Sequence, residues 1–133
     1  MYIVDTDVSV DYMKGEKYAV ALLSSLENMY LTSMTMAELF YGVYNSEKKD
    51  KLLSSLGDFM QKFGSLKMEF WDCVNFGKIK AHLRKKGAMV GDADIINAAT
   101  AVSYDFTIIT RNMKHYESVP GLKILKAGPS AKL

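Results

Sequence analysis

Apolar residues recur along this chain in two alternating rhythms: short strand-like runs, and longer stretches that return an apolar side chain to one helical face every three or four positions. Tyr2 to Val4 reads as a short buried strand, followed by a turn and a helix from near Val8 to about Gly15. From Glu16 to Glu27, Tyr18, Leu22 and Leu26 keep helical spacing, and Met29 to Thr32 reads as a second strand. Met36, Leu39, Phe40 and Val43 form the stripe of the next helix. After Asn45-Ser46, the series Leu52, Leu56, Phe59, Met60 and Phe63 marks another. Gly64-Ser65 reads as a break before a short strand at Lys67 to Glu69. Asp72 to Lys86 is helical with Phe76, Ile79 and Leu83 inward, and Gly87 ends it. A helix from Gly91 or Asp92 through Ser103 shares Ile95, Ala98, Ala99 and Val102 on one face, which predicts deep burial. Phe106 to Thr110 is the clearest strand, and Leu122 to Leu125 is the last, after the Pro120-Gly121 turn. Strands alternating with helices predict an α/β fold of three layers around one sheet.

With 133 residues and no internal repeat, low-complexity tract or linker, the chain reads as one domain over residues 1–127 with a flexible tail at 128–133. Hydrophobic content of 49% beside 24% charged residues belongs to a globular protein and excludes a disordered one. The single cysteine, Cys73, offers neither a disulfide nor a thiolate metal set; it reads as a small core residue in a reducing compartment. Asp5 and Asp7 interrupt the amino-terminal apolar run, so no signal peptide is expected. No apolar run approaches the roughly 20 residues that cross a bilayer, so the expectation is a cytoplasmic protein without a membrane span. Net charge of +2 does not by itself announce a nucleic-acid binder. Its distribution says more: Lys78, Lys80, Arg84, Lys85 and Lys86 lie in one segment and Arg111, Lys114 and His115 in another, either as solvated faces or as a rim able to hold phosphates.

Acidic side chains stand where the strand-like runs stop: Asp5 and Asp7 after the first, Glu38 soon after the second, and Asp92 and Asp94 at the start of the buried helix. In an open parallel sheet, groups at the carboxyl ends of strands converge on one cleft. Two carboxylates about 4 Å apart repel by roughly 4 kcal/mol at an effective dielectric near 20, so such a cluster takes up protons or a cation. Each acid also has a purely structural reading. Asp5 or Asp7 can cap the following helix; Thr35 and Glu38 fit a capping box; Asp92 and Asp94 suit a first helical turn.

Read together, the motifs and their flanks resemble the PIN-domain family, and within it the VapC-type ribonuclease toxins, over nearly the whole chain. The most specific stretch runs Gly91-Asp92-Ala93-Asp94-Ile95-Ile96-Asn97-Ala98-Ala99-Thr100-Ala101, then Thr107-Ile108-Ile109-Thr110-Arg111-Asn112, then His115-Tyr116-Glu117-Ser118-Val119-Pro120-Gly121-Leu122. Val4-Asp5-Thr6-Asp7-Val8 and Ala37-Glu38-Leu39-Phe40-Tyr41-Gly42-Val43 precede it in the expected order. The resemblance implies a three-layer PIN-like fold, a central parallel sheet flanked by helices, with Asp5, Glu38 and Asp94 as the catalytic acids around Mg²⁺ or Mn²⁺. The position after the fourth strand's Thr, often another acid or an amide, is here Asn112, which brings no charge; it is ranked as a supporting residue, with Asp92 or Asp7 able to complete the acidic set. Thr6 and Thr110 are expected to hydrogen-bond the acids, and Asn97, one turn beyond Asp94, needs a polar partner.

The function so implied is a metal-dependent endoribonuclease, the toxin of a toxin-antitoxin pair, with RNA as substrate, a homodimeric state and a small antitoxin protein as partner. Phe40, Tyr41, Val43 and Tyr44 supply aromatic contact area for an interface, or form core. Neither His82 nor His115 is placed as the base of a metal-free ribonuclease, and His115 is given at most an RNA-positioning role. Three rivals remain. Asp5-Thr6-Asp7 resembles the nucleophile pair of a haloacid-dehalogenase-like phosphatase, although Glu38 then has no role. A phosphoreceiver-like domain shares the size, but the end of the third strand, Met68-Glu69-Phe70, has no obvious acceptor Asp, and Asn112 prompts a catalytically silent PIN binding module.

Overall fold

Side chains along the strands alternate between two separate cores, the arrangement a sheet covered on both faces requires. In the computed structural model, which describes residues 1–129, five strands form one sheet: β1 (Tyr2–Val4), β2 (Met29–Thr32), β3 (Gly64–Leu66), β4 (Thr107–Thr110) and β5 (Lys123–Lys126). Their order is β3-β2-β1-β4-β5 and every neighbouring pair is parallel. Val4, Leu31 and Ile109 face one core with α1 (Thr6–Met13), α2 (Lys17–Ser25), α3 (Ser33–Tyr44) and α4 (Lys49–Met60). Ile3 and Ile108 face the other, built with α5 (Phe70–Lys85), α6 (Asp92–Tyr104) and the single turn α7 (Met113–Tyr116). The three-layer α/β expectation holds.

The small differences from the sequence reading have local causes. Helix α1 starts at Thr6 rather than Val8, because the Asp5 carboxylate accepts a hydrogen bond from the Thr6 amide at 3.0 Å and serves as the N-cap. In α2 the fully buried residues are Ala19 and Leu23, with Tyr18, Leu22 and Leu26 packed along the edge of that stripe. Strand β3 lies at Gly64–Leu66, three residues before the expected Lys67 to Glu69. Gly64 pairs with Tyr30, and a Cβ there would lie 2.5 Å from the Tyr30 ring, so the residue that looks like a loop is the one that lets the edge strand dock. Cys73 is exposed rather than buried, since the inward face of α5 carries Asp72, Ile79 and Leu83 and Cys73 points off it. Of the expected tail at 128–133, residues 130–133 lie outside the described residues. No helix among the described residues is long and apolar enough to cross a membrane.

The topology fixes where a site can form. From β1 the chain winds outward through β2 to β3, then returns to β4 on the other side and continues to β5, so the direction of winding reverses between β1 and β4. Carboxyl ends of adjacent strands diverge there and leave a crevice. Asp5 follows β1 and Arg111 follows β4 at that point. Helix α6 runs toward the start of β4, so its amino terminus, with Asp94, opens on the same edge.

The tight seat of Gly64 against Tyr30 yields a stability test. Gly64→Ala is expected to cost about 1–3 kcal/mol through overpacking, read as a lower urea midpoint at unchanged slope. An unaltered midpoint would mean that the Tyr30 ring swings aside freely.

Candidate active site

Asp5 is the hub of the crevice. Its Oδ1 accepts from the Thr6 amide and from Asn97 Nδ2, each at 3.0 Å. Its Oδ2 accepts from the hydroxyls of Thr110 at 2.9 Å and Tyr116 at 3.0 Å. Only 5% of the residue is exposed. Burial is the largest influence on its pKa and raises it; the Thr110 hydrogen bond pulls down, and the Asp94 charge adds to the rise. Capping and site membership are therefore the same contact seen twice: the carboxylate that starts α1 also gathers side chains from β4, α6 and α7.

Asp94 joins through the same phenol. Tyr116 donates to Asp94 Oδ1 at 3.1 Å, so one hydroxyl spans both carboxylates. The other Asp94 oxygen lies 2.5 Å from His115 Nδ1. Burial first, then the charges of Asp5 and Asp94, push the Tyr116 hydroxyl far up, and it is a proton donor at every working pH. Asp94 occupies the third helical position of α6 after the cap Gly91, where the free amides of the first turn favour negative charge.

Glu38 enters one bond further out. Helix α3 is capped by Thr32, whose hydroxyl accepts from the Thr35 amide at 3.1 Å, so Glu38 falls in the second turn and the alternative capping box of Thr35 and Glu38 does not form. Its Oε1 accepts instead from the Thr6 hydroxyl at 2.7 Å, and the same hydroxyl lies 3.2 Å from Thr35 Oγ1. Asn97 Nδ2 reaches Thr35 Oγ1 at 3.1 Å, while Asn97 Oδ1 accepts from Thr32 Oγ1 at 2.5 Å. Asp5, Glu38 and Asp94 thus belong to one connected network, with Thr6, Thr110 and Asn97 as the links the sequence suggested. No buried side-chain nitrogen or oxygen among the described residues is left without a partner.

Other expected members stand apart. Asp92 pairs with Lys80 at 2.8 Å on the exposed side of α6 and makes no hydrogen bond within the network. Asp7 accepts from the Val8 amide at 2.7 Å and the Arg111 amide at 3.1 Å, tying α1 to the end of β4; burial and then the Asp5 charge push it up to about 6. Asn112 donates its amide to Thr110 Oγ1 at 3.0 Å, and its Nδ2 lies 3.1 Å from the His115 ring nitrogens, so it reaches Asp94 through His115. Sequence reasoning passed over Tyr116, Thr32 and Thr35. The tyrosine belongs to a four-residue helix too short to show periodicity, Thr32 ends β2 as many hydroxyls end strands, and Thr35 reads as a capping residue.

Comparisons with known proteins agree with the fold. A family model described as "PIN domain" matches residues 2–120. The chain is 30% identical over 126 residues to "Ribonuclease VapC2" of Haemophilus influenzae, covering 92% of this chain and 94% of that protein. The structure is similar to that of VapBC2 from Rickettsia felis bound to a promoter DNA fragment, with a TM-score of 0.87 at 26% identity over 94% of this chain and 97% of that one. It is equally similar to DNA-bound VapBC from Salmonella typhimurium, with a TM-score of 0.88 at 25% identity over 94% and 96% of the two chains.

At the rim, Arg111 Nη1 lies 2.7 Å from Asp11 Oδ2, and the Tyr18 hydroxyl donates to the same oxygen. Burial alone would raise Asp11, but the hydrogen bonds from Tyr18 and Arg111 and the Arg111 charge outweigh it and hold the carboxyl below its ordinary range. A depressed folded-state pKa gives stability that is present above the unfolded-state value and disappears as pH falls through the folded one. Arg111→Met is therefore expected to lose about 1–2 kcal/mol at pH 7, with the gap to the unmutated chain closing as pH falls below the ordinary carboxylate range. Thermal unfolding across that range checks it, and a gap independent of pH would contradict the assignment.

Proposed function

The chain belongs to the PIN domain family, and on that premise we propose that it is a metal-dependent endoribonuclease, the toxin of a toxin-antitoxin pair. The observation that carries this reading is the convergence of Asp5, Glu38 and Asp94, from three separate stretches of chain, on one hydrogen-bonded network at the switch point of the sheet. Membership of the family sets aside the phosphatase-like and phosphoreceiver-like readings, and Glu38 has a partner in the network that neither of them would use.

The donor chemistry fits a hard divalent cation. All three acids offer oxygen, the donor Mg²⁺ and Mn²⁺ prefer, and burial, with the Asp94 charge adding to it, makes Asp5 costly to ionise, a cost that a bound cation would relieve. Among the described residues no three histidine, cysteine or acidic groups stand as a ready cage. The fit therefore rests on charge balance, with Asp5 and Asp94 as the principal ligands and Glu38 as the third. When bound, Mg²⁺ or Mn²⁺ supplies Lewis acidity and a nucleophilic water at neutral pH. The protein's own part is orientation. Four donors hold the Asp5 carboxylate at one angle, Thr6 ties Glu38 to the cap of α1, and His115, held by Asp94 and Asn112, stands at the open edge where an RNA phosphate would approach.

Charge at the rim supports RNA as the substrate. Helices α5 and α6 pair head to tail, through Asn75 with Ser103 and Lys80 with Asp92, so the basic end of α5 lies beside the start of α6. There Lys80 and Arg84 line a cleft of about 430 Å³ with Met89 and Gly91. Polyanion binding at such a face weakens steeply with salt. Partners follow from the opposite kind of surface. Phe40, Tyr41 and Tyr44 are exposed on α3, the last two by 60% or more, whereas Val43 is buried in the core. That aromatic face is suited to the antitoxin, and by family expectation the toxin pairs with itself.

RNA cleavage assayed with Mg²⁺ or Mn²⁺, and again with EDTA, tests the activity. Asp5→Asn and Asp94→Asn are each expected to lose at least ~100-fold, equivalent to losing several kcal/mol of charge stabilisation, with circular dichroism unchanged. Cleavage that survives both substitutions would remove the nuclease reading; Mn²⁺ uptake without any cleavage would favour the silent module suggested by Asn112. For the assembly, light scattering of the isolated chain is expected to give twice the monomer mass, and a monomer at micromolar concentration would refute the homodimer.

A further inference from the structure

Tyr116 carries more than packing requires. Its ring lies fully buried in the core formed with α5 and α6, and a phenyl ring would fill that space equally well. The hydroxyl is the part that packing does not explain, and it reaches Asp5 Oδ2 at 3.0 Å and Asp94 Oδ1 at 3.1 Å. These are the two carboxylates that the proposed function makes principal metal ligands, and the inference rests on that reading. The phenol comes from beneath, with none of the residue exposed, while the Asp94 side chain retains 25% exposure on the other side. Four donors already engage the two oxygens of Asp5, so an ion enters from the exposed side of Asp94 and reaches Asp5 by replacing one of its other donors, with the phenol kept below.

We propose that Tyr116 is a positioning residue: its single hydroxyl fixes the separation and tilt of Asp5 and Asp94 and so sets the affinity for the divalent cation they share. The phenol relieves like-charge repulsion before the ion arrives and remains as the floor of the site afterwards. Partners that orient ligating carboxylates in this way generally govern metal affinity by one to two orders of magnitude. Thr110 plays a lesser part of the same kind, because it reaches Asp5 alone.

Titration calorimetry with Mn²⁺ on the intact chain and on Tyr116→Phe tests this without reference to RNA. The variant is expected to bind Mn²⁺ about 10- to 100-fold more weakly and to show a smaller Mn²⁺-induced rise in melting temperature. A purely structural tyrosine would instead lower the melting temperature in EDTA and leave Mn²⁺ affinity unchanged, and that result would overturn the inference. A second measurement needs no variant: the Tyr116 hydroxyl proton, followed by nuclear magnetic resonance in the unmutated protein, is expected to persist and shift on Mg²⁺ addition. Disappearance of that resonance on Mg²⁺ binding would mean that the ion displaces the phenol, contrary to the proposal. Absence of Mn²⁺ uptake by the unmutated chain would sink the metal-dependent reading itself, whereas equal uptake by chain and variant would sink only the role of Tyr116.

Discussion

Two acids of the same charge, Asp5 nearly buried and Asp94 a quarter exposed, meet at one buried phenol, and the rest of the site is arranged around that fact. Like charges so placed raise each other's cost of ionisation. The structure answers with neutral donors rather than with cations. Thr6, Asn97, Thr110 and Tyr116 all direct hydrogen bonds at Asp5, and the basic residue near Asp94 is a partly exposed histidine. A lysine or arginine in their place would neutralise the acids and leave nothing to attract a metal ion. Hydroxyls and amides orient the carboxylates while leaving their charge in place.

The sheet makes the gathering possible. Its two cores are filled by alternate residues of the same strands, so the middle strands β1 and β4 are held from both faces and their carboxyl ends cannot drift. Asp5 and Thr110 inherit that rigidity directly from the strands that precede or contain them. Asp94 and Tyr116 inherit it from α6 and α7, whose apolar sides pack into the second core through Ile95, Ala98, Ala99 and Tyr116 itself. Glu38 is the least constrained of the three acids, since its side chain has a single hydrogen bond, from Thr6 of α1. On the proposed reading, that difference in support ranks Asp5 and Asp94 ahead of Glu38 as ligands.

Surfaces divide in the same way. Lys80 and Arg84 line a cleft beside the start of α6 and Arg111 follows β4; Lys80 is paired with Asp92 and Arg111 with Asp11. Away from the rim, α3 shows aromatic side chains to solvent at positions where a helix in a free-standing monomer would carry charges.

Periodicity alone was enough to recognise an α/β chain, to locate four of the five strands and the six longer helices, and to show that acids follow strand ends. These are properties of single elements, and each is written in a window of some ten residues. What periodicity could not do was choose between neighbours. Asp92 and Asp94 differ by about 200° around the helix, which sends one to Lys80 in solvent and the other to Tyr116 in the crevice. Gly64 looked like a break and proved to be the start of an edge strand, because the ring it accommodates belongs to Tyr30 on another strand. Cys73 looked like core and lies outside, and Tyr116, part of a motif stretch, carried no site role until its hydroxyl was placed between two acids. The sequence by itself thus determined which elements form and which acids stand at their ends; the tertiary structure decided which of those acids meet, and through which hydroxyl, because a contact between β1, α6 and α7 depends on how the elements pack and is encoded in none of them singly.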